Sequence, residues 1–191
     1  MNKILTTLLL FITSIIFSQN HFKKGSIIDS IPVKNTKTET FALYLPSSFN
    51  HQELSSIVFV YDPSAKGKSG IKPFIKASEK YGFIIVCSNN SKNGSNDKNF
   101  SISNNLFSHV FSFFKIKESE MYLSGFSGGS RLASSIASIT NQFTGVIACG
   151  AGFSSVPEYR PSSQKYYYVG ICGNRDMNYS CLLYTSDAAD D

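Results

Sequence analysis

Short apolar runs alternate along this chain with segments that have helical spacing or turn residues. Four runs are apolar at nearly every position, which is typical of strands that are buried on both faces of a sheet. These four runs are residues 56–61, 83–87, 145–149 and 166–171. Two earlier runs, 26–28 and 40–45, predict an antiparallel pair that precedes them.

Helical spacing between these runs predicts helices over 71–81, ended by Gly82, over 106–114 and over 131–138. Buried strands that alternate with helices predict an α/β fold with a mostly parallel sheet covered on both sides. Such sheets bind ligands at the carboxyl ends of their strands. The segments expected at that edge are 62–67, 88–99, 125–129, 150–155 and 173–179. Segment 88–99 is rich in Asn and Ser, which favours a solvated loop, and the alternative is a wall of the substrate cleft.

The pentapeptide Gly125-Phe126-Ser127-Gly128-Gly129 has the pattern Gly-x-Ser-x-Gly, with a predicted strand before it and a predicted helix after it. This setting places a serine on a strained turn, where its hydroxyl projects from the sheet and can act as a nucleophile. The backbone N–H of the serine then meets the N-terminus of the helix, where negative charge is stabilised. The alternative is a turn of small residues without chemistry.

The wider pattern resembles the α/β-hydrolase superfamily, and most of all secreted esterases of the polyhydroxybutyrate-depolymerase and feruloyl-esterase-like branch. The resemblance covers about residues 39–180 and rests on segments 43–47, 58–63, 80–86, 125–133 and 173–176. It implies an α/β-hydrolase three-layer sandwich that here lacks the final strand and helix. It also implies a small-molecule or polymer ester as substrate, no cofactor and no metal.

Site residues follow from the same resemblance, which implies the chain order serine, acid, histidine. Ser127 is the expected nucleophile and Gly128 the first oxyanion donor. Many relatives have His-Gly where this chain has Asp62-Pro63, and proline has no N–H. The second donor is therefore expected to be Ser64, with its neighbour Ala65 as the alternative.

Asp176 follows the last predicted strand and resembles the family's acid, which orients a histidine. The alternative for Asp176 is that it only caps a turn. The three histidines are His21, His51 and His109, and all of them precede Ser127, so none fits the implied order. We expect the catalytic histidine on a segment that is missing here, and the fragment by itself to be nearly inactive.

Both ends of the chain differ from its middle. Residues 1–18 combine a positive start, a short apolar run and a small residue, which predicts a cleaved signal peptide and a secreted or periplasmic protein without stable membrane insertion. Residues 181–191 resemble the translation of a transposon-type sequencing adapter, so we expect them to be an artefact and the natural chain to continue past Ser180. The hydrolase domain is then 19–180.

Composition excludes other classes of function. The net charge is +5, but the basic residues are scattered and form no stripe with interleaved aromatics, which argues against nucleic-acid binding. Cys87, Cys149 and Cys172 are widely spaced within apolar runs, so free buried thiols are expected, and a disulfide stays open. The remaining alternatives are a secreted serine peptidase on the same fold and a hydrolase-like binding module without catalysis.

Overall fold

One sheet of seven strands organises the residues that the computed structural model describes, which are 22–154, 156–159 and 165–180. In chain order the strands are β1 Ile27–Pro32, β2 Thr40–Tyr44, β3 Ser55–Tyr61, β4 Ile84–Ser88, β5 Ile116–Phe126, β6 Gly145–Cys149 and β7 Tyr167–Ile171. Their order across the sheet is β1-β2-β4-β3-β5-β6-β7. The strands β1 and β2 pair antiparallel, as predicted, and β2 pairs antiparallel with β4. From β4 to β7 all neighbours are parallel.

Four helices connect these strands in the described residues: α1 Gly67–Ile71, α2 Ile75–Tyr81, α3 Asn96–Phe113 and α4 Gly128–Thr140. Short 3-10 turns cover Lys72–Phe74 and Pro157–Tyr159. The helix predicted over 71–81 is therefore wrong in its form, because it begins earlier, at Gly67, and is broken by the turn that contains Pro73. Its predicted end is confirmed, since Gly82 caps α2 in the left-handed region, with φ +78°.

The helix α3 begins ten residues earlier than the predicted start at 106. Ser95 caps it, because the Ser95 side chain accepts a hydrogen bond from the Lys98 N–H. The polar segment predicted as a loop over 88–99 therefore ends at Ser95, and its last four residues are helical.

Hydrophobic cores fill both faces of the sheet, as the continuous apolar runs predict. Along β3, Phe59 and its same-face neighbours point towards α3 and α4, where the larger core lies. Val58 and Val60 point the other way, into a smaller core that contains Ile71 of α1. The alternation follows from the two-residue period of a strand. The α/β architecture with helices on both sides is thereby confirmed.

The predicted signal peptide, 1–18, and the adapter-like segment, 181–191, lie outside the described residues. No helix of the described residues is both long and apolar enough to cross a membrane.

Candidate active site

Ser127 lies at the turn between β5 and α4, in a backbone conformation that side chains rarely adopt. Its φ is +53° and its ψ is −119°. A non-glycine residue in this region costs of order 1–3 kcal/mol and persists only where its surroundings enforce it. The Ser127 N–H donates to the Cys149 carbonyl at the end of β6, at 2.8 Å, while the Ser127 carbonyl accepts from Ser130 N–H, at 3.0 Å. The backbone is therefore fixed on both sides of the serine.

Two glycines make this turn sterically attainable. A Cβ on Gly129 would lie 2.0 Å from the Tyr61 carbonyl oxygen, and a Cβ on Gly125 would lie 2.3 Å from the Gly129 carbonyl carbon. Both contacts are with backbone, which cannot move aside. Residues 125–129, which we call the nucleophile turn, thus need glycine for close approach of α4 to the ends of β3 and β5.

Ser127 opens into a polar cleft of about 290 Å³. Its lining comes from four of the five segments expected at this edge of the sheet, together with the first turns of α4. The lining residues are Asp62, Ser91, Lys92, Asn93, Gly94, Asn96, Asn99, Ser127, Gly128, Gly129, Arg131, Leu132, Ser135, Ser154 and Val156. A larger cavity, of about 640 Å³, is lined by Phe111, Met121 and their neighbours, at the opposite ends of the strands, where no candidate chemistry lies.

Asp62 shapes the loop that follows β3. Its carboxylate oxygen Oδ1 accepts from the Ser64 N–H, at 2.9 Å, and from the Lys66 N–H, at 3.1 Å. Its carbonyl accepts from the Ala65 N–H, at 3.1 Å. The Ser64 N–H, the expected second oxyanion donor, already has an acceptor in its own loop and would have to leave it to bind substrate, so its role stays a prediction.

Residues 89–95, which we call the facing loop, form one wall of the cleft. Residues 92–95 are exposed, which confirms a solvated loop there, and a role at the rim of a substrate cleft stays a prediction. The loop packs against the nucleophile turn: a Cβ on Gly128 would lie 1.9 Å from Asn93 Oδ1. Buried Asn99 of α3 holds the loop from below. Its Oδ1 accepts from the Lys92 N–H, at 3.2 Å, and its Nδ2 donates to the Lys92 carbonyl, at 2.8 Å.

Asp176 lies in the loop after β7, where its backbone and side chain close a turn. Its Oδ1 accepts from the Asn178 N–H at 2.8 Å, which is the capping role that we weighed as the alternative. Its Oδ2 lies 3.5 Å from where a Cβ on Gly150 would be, and Gly150 follows β6, whose last carbonyl accepts from the Ser127 N–H. The structure therefore places this carboxylate at the end of β6, the neighbour of β5, and leaves its role as the triad acid a prediction.

Arg131, on α4, links the loop after β7 to α4, the nucleophile helix that follows Ser127. Its guanidinium donates to Asn178 Oδ1, at 3.0 Å, and Asn178 Nδ2 donates to the Gly150 carbonyl, at 2.8 Å. Sequence reasoning missed Arg131, although its position four residues after Ser127 puts it on the same face of α4. It also missed Asn93 and Asn99, whose pairings no local pattern shows.

The other candidate groups lie away from Ser127 or are chemically quiet. His109 accepts from the Lys34 N–H at 2.9 Å, His51 stacks on Phe114, and neither lines the cleft. Burial raises the pKa of the Cys149 thiol and raises the pKa of the Cys87 thiol to about 12, so both stay protonated and weakly nucleophilic. All three cysteines among the described residues, Cys87, Cys149 and Cys172, are free. The described residues contain no group of three His, Cys, Asp or Glu that could hold a metal.

Several solved structures share this fold, and most of them carry the name of an esterase or another hydrolase, of which three are examples. A feruloyl esterase module from Clostridium thermocellum, complexed with sinapinate, aligns with a TM-score of 0.68 and 13% identity over 87% of this chain and 73% of that one. An S-formylglutathione hydrolase from Staphylococcus aureus aligns with a TM-score of 0.68 and 12% identity over 88% and 86%. An acetyl xylan esterase from Aspergillus awamori aligns with a TM-score of 0.52 and 18% identity over 69% of this chain and 56% of that one.

At these identities the likeness shows the fold alone. The chain has the α/β-hydrolase fold, with its mostly parallel sheet and flanking helices, as the sequence predicted. It spans little more than half of the acetyl xylan esterase. No protein-family model matches the sequence, and no curated protein matches it.

Proposed function

We propose that this chain belongs to a serine hydrolase that cleaves carboxylic esters, with Ser127 as the nucleophile. One observation carries the proposal: Ser127 is held at φ +53° between a strand and a helix, at the floor of a polar cleft. Backbone strain of this kind is retained mainly where function requires it. The feruloyl esterase and acetyl xylan esterase that share the fold support an ester as the substrate class.

In the proposed reaction the Ser127 hydroxyl attacks the ester carbonyl and gives its proton to a base. The tetrahedral intermediate collapses, the carbon–oxygen bond to the alcohol breaks, and the alcohol leaves with that proton. Water then hydrolyses the acyl-serine and restores the hydroxyl. The Gly128 N–H, at the start of α4, is placed to stabilise the oxyanion.

The base in this scheme is a histidine other than His21, His51 and His109, and Asp176 is the carboxylate that orients it. The joined loops support this arrangement, since Arg131 and Asn178 tie the segment of Asp176 to the nucleophile helix. We also propose that residues 1–18 direct export. Mass spectrometry of the N-termini of the cell-associated and the exported protein would test this proposal.

The test is hydrolysis of p-nitrophenyl acetate by the full chain with free imidazole added, since imidazole can replace an absent histidine base. We expect the parent to hydrolyse the ester faster than the Ser127→Ala variant. The rate of that variant measures hydrolysis by imidazole alone. Ser101→Ala, the same change at an exposed position on α3, serves as control and should match the parent. Equal rates for the parent and Ser127→Ala would rule out Ser127 as the nucleophile.

The same assay separates the alternatives. Both an esterase and a peptidase can cleave the activated p-nitrophenyl ester, so a peptidase is recognised by additional hydrolysis of peptidyl p-nitroanilides that Ser127→Ala abolishes. A binding module would show no rate that depends on Ser127 and no labelling of Ser127 by a fluorophosphonate.

A further inference from the structure

The loop that follows β3 has no free N–H to offer an oxyanion. Pro63 has none by its chemistry. The Ser64 and Lys66 N–H groups donate to Asp62 Oδ1, and the Ala65 N–H donates to the Asp62 carbonyl. An oxyanion bound by Gly128 alone would be weakly stabilised, because each preorganised donor contributes a large share of the catalytic rate.

A side chain of the facing loop lies where a second donor is needed. The Asn93 carboxamide covers Gly128, with Oδ1 at 1.9 Å, Cγ at 2.8 Å and Nδ2 at 3.3 Å from the position of a Cβ on that glycine. Gly128 is the residue whose N–H follows the nucleophile. The carboxamide therefore lies beside the space that the oxyanion would occupy, and only a glycine at 128 admits it.

The donor and acceptor groups of the Asn93 carboxamide are also not used within the described residues. Among the described residues its side chain makes no hydrogen bond, whereas its backbone N–H donates to the Pro63 carbonyl, at 3.0 Å. Rotation about the last side-chain torsion exchanges Oδ1 and Nδ2 at little cost, because that torsion is broad. Nδ2 can thus turn towards a negative charge that forms next to Gly128.

The backbone that carries Asn93 is fixed at Lys92, the residue before it. A β-bridge pairs Lys92 with Ser64, and Asn99 binds both backbone groups of Lys92. A donor is effective in catalysis when it is held in place before the charge develops, since no reorganisation is then needed. The facing loop meets this requirement, although it belongs to no strand or helix.

We propose that the Asn93 side-chain amide is the second oxyanion donor of this site, in place of a backbone N–H from the loop after β3. The proposal rests on the proposed function, because it assumes that Ser127 forms a tetrahedral intermediate. It makes Asn93 a catalytic residue that touches the reacting atoms, and it makes Asn99 a positioning residue that acts through Lys92.

The experiment measures kcat and KM for p-nitrophenyl acetate at saturating imidazole, in the full chain and its variants. Asn93→Ala removes the donor, and Asn93→Asp keeps the shape but replaces the donor with a charge. We expect kcat to fall about 100-fold or more in both variants, with KM within about threefold of the parent, because the bond forms only as the oxyanion develops.

Asn104→Asp is the matched control. Asn104 is exposed on α3 and does not line the cleft, so this variant makes the same change away from Ser127. We expect its kcat to stay within about threefold of the parent, since an exposed charge at a distance is screened by salt. A matching loss of kcat in this control would overturn the inference, because the effect of Asn93→Asp would then not depend on its position in the site.

A second readout guards against a merely structural effect. The rate of Ser127 labelling by a fluorophosphonate should fall with kcat, while the thermal midpoint of Asn93→Ala should match the parent, because the side chain is exposed. An unchanged kcat in Asn93→Ala, with Ser127→Ala still inactive, would overturn the inference and leave the proposed function standing. An unchanged rate in Ser127→Ala would instead remove the proposed function itself.

Discussion

The nucleophile turn and the facing loop line the same cleft, and opposite means hold them in place. Gly125 and Gly129 lack side chains, so backbones approach to distances that no Cβ would permit. The facing loop depends on side chains, with Asn99 alone binding both backbone groups of Lys92. The nucleophile turn is thus fixed by the absence of side chains at its glycines, and the facing loop by hydrogen bonds from a side chain. The two walls should therefore respond differently to substitution.

The largest effect is expected from a methyl group in the nucleophile turn. In Gly129→Ala the new Cβ would meet the Tyr61 carbonyl at 2.0 Å, and neither backbone can yield without moving α4 away from β3. We expect a loss of about 3 kcal/mol in the free energy of unfolding, at the upper end for overpacking. Urea unfolding followed by circular dichroism measures it.

Gly173→Ala is the control for this change. Nothing lies within 4 Å of a Cβ at Gly173, and the position has no positive φ. We expect a change within about 0.5 kcal/mol, as for other open surface sites. If the two variants were equally stable, steric fixation of the nucleophile turn would be disproved.

A smaller loss is expected when the support of the facing loop is removed. Asn99 is 6% exposed, and Asn99→Ala leaves the Lys92 N–H and carbonyl without these partners. We expect about 1–3 kcal/mol less stability, because two hydrogen bonds are lost and each contributes about 0.5–1.5 kcal/mol. Hydrogen exchange should show faster exchange in residues 89–95 than in the nucleophile turn. Asn104→Ala, an exposed position on the same helix, should change neither quantity, and loosening of both walls together would contradict the comparison.

A gain in stability is expected from relaxing Ser127 itself. Glycine tolerates φ +53° and ψ −119°, so Ser127→Gly should raise the free energy of unfolding by about 1 kcal/mol while it removes the nucleophile. Asn141→Gly is the control, because Asn141 is at φ +50° and ψ 26°, an ordinary left-handed cap where asparagine is accepted. A larger gain at Asn141 than at Ser127 would mean that the nucleophile turn stores no strain.

The smallest effect is a pH dependence that arises away from both walls. Burial, with a smaller contribution from Lys34, lowers the folded pKa of His109 below its usual 6.5. The unfolded chain therefore binds the proton more tightly. The free energy of unfolding should have its full value above about pH 6.5 and fall as the pH drops through the folded pKa of His109. Urea unfolding between pH 5 and pH 8 measures this slope. The slope should be smaller in His109→Gln, and an identical slope in that variant would exclude His109 as its cause.

Sequence alone predicted the central strands well, because β3, β4 and β6 are buried on both faces and are apolar throughout. It also located the turn at Ser127, because the small residues that permit close packing are adjacent in the chain. The start of α3 was missed since Ser95, its cap, stands among many similar polar residues. The pairing of Asn99 with Lys92 and the position of Asn93 over Gly128 depend on folded contacts, so no local pattern could show them. The hydrogen bond from the Ser64 N–H to the Asp62 carboxylate could not be predicted either, because the sequence does not show which acceptor that N–H has in the fold.

The contact between Asn93 and Gly128 means that a side chain at position 128 would need the space that the Asn93 side chain fills. A larger residue at 128 can be accommodated only if the side chain at 93 becomes shorter or turns away, so the two positions are expected to change together rather than one at a time. We therefore expect the sequences of the facing loop and the nucleophile turn to be coupled in evolution. A facing loop transferred into a related scaffold would keep its geometry only if residue 128 travelled with it.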